Sequence, residues 1–161
     1  MIRLLAPEDF ALWKAIRLEA LKVHPDIFAE LHEEAMAQSD EGWAAFLQKH
    51  HIFVYLDNDI PVGVGGYFYS PAQKMRHRGK VFTNYVSHAH RGHGIMDWLL
   101  SAIAYHARDN GVEQLHLDVV VYNKSAIHCY ERNGYTIYGT EPRIFKMNGD
   151  YCDCYVMVKY L

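Results

Sequence analysis

The residues Arg91-Gly92-His93-Gly94-Ile95 have the types and spacing with the clearest chemical use in this chain. A β-branched and aromatic run, Lys80 to Val86, precedes them and reads as a strand. Ile95, Trp98, Leu99, Ala102, Ile103 and His106 follow at i, i+3, i+4 spacing, which is one face of a helix. The first backbone N–H groups of a helix lack internal partners, and the helix dipole favours negative charge there. Glycines let an anion approach the main chain, and Arg91 adds a cation. Strand, glycine turn and helix start therefore predict a site for a phosphorylated ligand at residues 91–96.

Other residues with chemical potential are weaker. His88, His90 and His93 lie close in sequence, and histidines are common metal ligands. No cysteine or carboxylate stands beside them and His93 falls inside the glycine turn, so no metal is expected. Cys152 and Cys154 sit two apart in a strand-like run, on one side of it, and read as ordinary packing residues.

The elements that must position the turn can be read in outline. Met1 to Leu5 forms a short strand, and Pro7, Glu8 and Asp9 open a helix that ends near His24-Pro25. Residues 26–38 carry no clear pattern. Ser39 or Asp40 caps a second helix bearing Trp43, Phe46 and Leu47. Ile52–Leu56 and Ile60–Tyr69 are strands joined by the hairpin signal Asp57-Asn58-Asp59. A loop over 71–79 leads to the strand at 80–87 and the helix at 94–110, which Gly111 stops. Alternation at Leu115, Leu117, Val119 and Val121 gives a further strand. Asn123 caps a short helix over 124–133, and strands at 135–139 and 151–161 close the chain.

The chain has 161 residues, which fits one domain spanning 1–161 with a sizeable core. A net charge of -3 gives no pull toward nucleic acid or an anionic membrane. No run is apolar for the length of a membrane span, and the N-terminal residues lack a signal pattern. Three cysteines without framework spacing suit a reducing, cytoplasmic setting. Hairpin strands followed by strand–helix alternation predict an α/β or mixed α+β fold.

The second half resembles the GCN5-related N-acetyltransferase (GNAT) superfamily. Its acyl-CoA signature stands here as Arg91-Gly92-His93-Gly94-Ile95-Met96, with Met96 where the family has a small residue. About thirty residues on, Asn123-Lys124-Ser125-Ala126-Ile127-His128-Cys129-Tyr130-Glu131-Arg132-Asn133-Gly134-Tyr135 is similar to the family's Asn-x-x-Ala-x-x-x-Tyr-Glu segment. The order and spacing of both motifs match, and the resemblance extends over nearly the whole chain. It implies a central mixed, mostly antiparallel sheet of six to seven strands, splayed in the middle and flanked by about four helices.

The resemblance further implies transfer of an acetyl group from acetyl-CoA, as cosubstrate, to a primary amine. The acceptor would be a small molecule, attacking directly in a ternary complex without an acyl-enzyme. Arg91 and the backbone of Gly92, His93, Gly94, Ile95 and Met96 would hold the CoA diphosphate. Tyr85, Val86 and His88 would pair with the pantetheine arm, and the Val86 N–H would face the developing oxyanion. Asn123 would bind pantetheine or orient its loop; taken alone it is a helix cap. Tyr130 would be the general acid that protonates the departing thiolate; taken alone it is a packed aromatic on an amphipathic helix. The proton acceptor stays open among Glu33, Glu34, His88, His90 and a water relay, because Asn84 stands where the family often has Glu. The acidic stretch Glu30, Glu33, Glu34, Asp40 and Glu41 suits a cationic acceptor such as a polyamine or an aminoglycoside, or is simply a solvated helix face. A homodimer is left open. The alternative reading is a CoA-binding sensor without catalysis, supported by Met96 and the absence of an evident base.

Overall fold

A computed structural model of the chain describes residues 1–147 and 149–161. Its strands follow the order β1-β2-β3-β4-β5-β7-β6, a mixed and mostly antiparallel sheet. By internal contacts the chain divides into two compact units, Met1–Phe68 with Thr83–Ile103, and Tyr69–Phe82 with Ala104–Leu161.

In the first unit β1 (Ile2–Leu4) pairs antiparallel with β2 (His51–Asp57), which pairs antiparallel with β3 (Ile60–Tyr69). The β2–β3 turn has Asn58 at φ 48 and Asp59 at φ 64. Two successive left-handed residues give the turn twist that suits a tight hairpin, as the Asp-Asn-Asp run predicts. Pro7–Asp9 makes a separate 3-10 turn, and α1 (Phe10–Val23) starts after it rather than at Pro7. The Asp9 carboxylate is the reason: it accepts from the Ala6 N–H at 3.0 Å and from Arg3 at 2.6 Å, which closes the tighter turn first. Helix α2 (His32–Met36) falls in the stretch that showed no pattern. Helix α3 (Asp40–Lys49) is capped by Ser39, whose hydroxyl accepts from the Gly42 N–H at 3.1 Å. Trp13 of α1 meets Trp43 edge-on and stacks on Phe46. Ile16, Leu21, Ile52, Leu99 and Ile103 complete a fully buried core, in which each large apolar side chain contributes about 1.5–3 kcal/mol.

The unit boundaries fall inside β4 (Arg78–Val86) and inside α4 (Ile95–Asp109). In the second unit Arg78–Lys80 of β4 pair parallel with Gln114–His116 of β5 (Gln114–Val120). β5 and β6 (Thr136–Met147) each pair antiparallel with β7 (Asp150–Tyr160). β6 runs eight residues beyond the expected stop at Gly139. Its register slips between Glu141 and Phe145, around Pro142, which has no N–H to give a ladder. That polar, proline-containing stretch hides the strand from sequence pattern. Helix α5 (Lys124–Arg132) buries Ile127 and Tyr130, and Leu115, Leu117, Tyr135 and Met157 form the core of this unit.

Candidate active site

Nine of the eleven residues predicted for the site lie together in the first unit, where β4 ends and α4 begins. His88–His90 form a single 3-10 turn after the strand. Arg91 is extended, and Gly92 (φ +79) and Gly94 (φ +75) are left-handed, a geometry that L side chains resist. The first helical bond of α4 runs from the Trp98 N–H to the Gly94 carbonyl at 3.1 Å. The amides of Ile95, Met96 and Asp97 therefore precede the helix's own ladder and stand at its positive end. A Cβ built on Gly92 would meet nothing of the chain within 4 Å, so the turn opens onto free space. Backbone donors, a helix dipole and an open glycine face fit a diphosphate.

Arg91 is anchored within this cradle. Its Nε donates to the Val86 carbonyl at 3.0 Å, its Nη2 donates to His24 Nε2 at 2.7 Å, and its guanidinium lies over the Tyr85 ring. Because arginine only donates, His24 is the acceptor and is neutral at Nε2. Ile95 is buried against β3, where a Cβ on Gly63 would come within 2.7 Å of Ile95 Cγ2. Gly63 thus lets the first turn of α4 lie close to the strand, a role that the strand pattern does not reveal. Gly63→Ala is expected to destabilise the fold by about 1–3 kcal/mol and to weaken acetyl-CoA binding, because the methyl must displace the turn. Thermal melts and calorimetric titration check both effects; a variant with unchanged stability and affinity contradicts this packing role.

Behind the cradle, Glu19 of α1 accepts from the Tyr85 hydroxyl at 2.8 Å and from the Ser87 hydroxyl at 2.6 Å. Burial, and then the Glu19 hydrogen bond, push the Tyr85 phenol up to about 12, so it stays protonated as a donor. Tyr85 thus faces α1 with its side chain. The His24 pKa is held below its ordinary value of 6.5, first by burial and then by the Arg91 cation, with His88 adding and Asp26 opposing. The unfolded chain therefore takes up this proton more readily than the folded one. The stability that neutral His24 supplies is complete above its unfolded pKa of 6.5 and is lost as pH falls through that value toward the folded one. The melting temperature is expected to fall as pH drops below His24's ordinary value of 6.5, and His24→Gln, which keeps an acceptor but does not titrate, should flatten part of that slope. His106 and His116 are also held low by burial and account for a residual slope. An identical slope in the variant contradicts the role of His24.

The other two predicted residues lie in the second unit. Asn123 is the N-cap of α5, its Oδ1 accepting from the Ala126 N–H at 3.3 Å, which bears out the cap reading. Tyr130 is 8% exposed and meets the Tyr135 ring edge-on, so it has the packing role as well. Among the candidate bases, Glu33 and Glu34 lie on exposed turns of α2, with Glu34 accepting from the Leu31 N–H at 3.2 Å. His90 Nε2 sits 3.4 Å from Asp57 Oδ2, at the β2–β3 hairpin. Of the acidic stretch, Glu30 pairs with Arg17 and Asp40 with Lys14, each at 2.8 Å. Among the described residues no group of three His, Cys, Asp or Glu side chains converges as a metal site. No helix among them is long and apolar enough to cross a membrane.

The geometry is that of an open anion-accepting turn, and comparison with known proteins supplies the class. The model of the acetyltransferase (GNAT) family matches residues 13–135, more than half of the sequence. The chain belongs to this family, and with it to the acetyl-CoA-dependent N-acetyltransferases. It is similar to the structure of a GNAT-family acetyltransferase from Streptococcus pneumoniae, with a TM-score of 0.89 and 22% identity over 100% of this chain and 99% of that one. It is also similar to a ribosomal-protein-alanine N-acetyltransferase from Brucella melitensis, at TM-score 0.84 and 23% identity, covering 100% and 99% of the two chains. A third likeness is to yncA from Salmonella typhimurium, solved with its cofactor acetyl-CoA, at TM-score 0.84 and 20% identity over 100% and 93%. No protein of curated function matches in sequence.

Proposed function

We propose that this protein transfers the acetyl group of acetyl-CoA to the primary amine of a small molecule. The observation that carries the reading is the pair of left-handed glycines at the mouth of α4, beside Arg91. In this reading the amides of Gly92 to Met96 and the remaining donors of Arg91 hold the diphosphate. Backbone groups of Tyr85, Val86 and His88 align the pantetheine arm. Asn123 holds the start of α5.

The amine nitrogen attacks the thioester carbonyl carbon, and a negative charge develops on the carbonyl oxygen. The Val86 N–H is the donor assigned to that oxygen, since a fixed dipole needs no reorganisation during the reaction. The acceptor ammonium gives up one proton before it attacks and a second from the tetrahedral adduct, to a water relay or to one of Glu33, Glu34, His88 and His90. As the C–S bond breaks, the thiolate takes a proton from the Tyr130 hydroxyl, and the phenolate regains one from solvent. A phenol of pKa about 10 can donate to a thiolate whose conjugate acid lies near 8.5 when position favours the transfer.

The test is release of free CoA with a panel of amines, alongside calorimetric titration of acetyl-CoA. Binding with amine-dependent CoA release is the expected result. Binding without release for every amine supports instead a catalytically silent acyl-CoA sensor, the reading that Met96 favours.

A further inference from the structure

We propose that Arg17 and Glu30 form the recognition pair for the acceptor, and that the acceptor is a small molecule carrying a carboxylate close to its amine. This deepens the transferase reading above and rests on it.

Arg17 lies on α1 and is 9% exposed. Its guanidinium is set over the Phe28 ring at 4.9 Å and the Trp13 ring at 5.8 Å. Nε and Nη2 both donate to a single oxygen, Glu30 Oε2, at 3.0 and 2.8 Å. Nη1 donates to the Thr83 hydroxyl at 3.0 Å. A guanidinium carries five N–H donors. These three bonds leave two donors of a nine-tenths buried cation without an acceptor among the described residues. Buried donors are seldom left unbonded, and a cationic donor is matched best by an oxyanion.

Glu30 offers the complementary half. Both of its bonds use Oε2; Oε1 accepts from no donor among the described residues, and the side chain is 36% exposed. Two donors on a cation thus stand beside a spare oxygen on an anion. A ligand matching both presents a carboxylate to Arg17 and an ammonium to Glu30. A polyamine or an aminoglycoside matches only the second.

The pair is also tied to the strand that carries the reaction. Thr83 has φ +57, left-handed in the middle of β4, although it is β-branched. The Arg17 bond holds its hydroxyl at this kink, one residue before Asn84-Tyr85-Val86. Tyr85 and Val86 are positions to which the proposed function assigns the acyl donor, so an acceptor gripped by Arg17 is presented beside the thioester.

The experiment uses the whole unmodified chain, acetyl-CoA and matched amines: α-amino acids, their carboxamides, and the amines of the same side chain lacking the carboxyl. The expected result is a kcat/KM about 100-fold higher for the amino acid, because a site with buried donors rejects an analogue that leaves them unpaired. Arg17→Lys, which keeps one donor for the Thr83 hydroxyl, should raise KM for the amino acid by about tenfold and KM for the carboxylate-free amine by far less, a split that general loss of structure does not produce. If that variant fails to fold, the matched substrates on the unmodified enzyme decide. Equal or better turnover of the carboxylate-free amines, or turnover of neither class, overturns the proposal. Titration of acetyl-CoA alone separates the two levels. Binding without carboxylate preference overturns only the acceptor assignment, whereas no binding overturns the transferase reading and this proposal together.

Discussion

Replacing Tyr130 by phenylalanine is expected to lower kcat by about 100- to 1000-fold. The ring is buried on α5 and edge-on to Tyr135, and phenylalanine keeps that packing. Loss of one hydroxyl changes stability by about 1 kcal/mol, too little to unfold the chain. The affinity for acetyl-CoA should stay within about threefold, since the proton is needed only as the C–S bond breaks. Steady-state kinetics and calorimetry on the same preparation check both halves. Equal turnover in the variant removes Tyr130 from the chemistry and leaves it as a core residue.

The second large effect is expected at Gly94. Its φ of +75 strains any L residue, and a β-branched one most. A valine there carries about 1–2 kcal/mol of backbone strain and places two methyls at the mouth of α4. Within the chain, a Cβ at this position meets only Asp97 Oδ2 and the Trp98 ring, at 3.9 to 4.0 Å. The chain itself therefore has room for the first carbon, so a loss of affinity would report on the ligand rather than on a clash within the chain. Gly94→Val should weaken acetyl-CoA binding by about 100-fold or more, because each hydrogen bond to a charged group contributes about 1.5–3 kcal/mol and several are displaced together. Circular dichroism and a melt confirm that the variant is folded, and calorimetry reads the affinity. A folded variant that binds acetyl-CoA normally contradicts the assignment of this turn.

The turn was legible because its signals are local. Glycine spacing, a strand before and a helical period after all lie within thirty residues, and each obeys a short-range rule. The same holds for the Ser39 and Asn123 caps and for the hairpin at Asn58-Asp59. What stayed hidden is long-range. Arg17 reaches Thr83 across 66 residues, Glu19 reaches Tyr85 across 66, and His24 reaches Arg91 across 67. On a helix these three read as ordinary polar positions, and no periodicity marks which partner each will find. Thr83 misleads in another way, because its type favours a regular strand while tertiary contacts hold it left-handed. Gly63 reads as a weak point in β3 until the close approach of Ile95 explains it.

The same long-range contacts explain how the end of β4 is held. Glu19 fixes the side chains of Tyr85 and Ser87, Arg17 fixes the kink at Thr83, and Arg91 returns to the Val86 carbonyl. The last four residues of β4 are thereby fixed from both ends, which suits the role proposed for this strand, alignment of a flexible thioester arm.

Whether the amides opening α4 grip the diphosphate of acetyl-CoA can be read from backbone amide resonances followed during titration. Gly92, His93, Gly94, Ile95 and Met96 should shift most, saturate together, and not respond to pantetheine lacking the diphosphate. Saturable acetyl-CoA binding that leaves those five amides unmoved, or no binding at all, would contradict it.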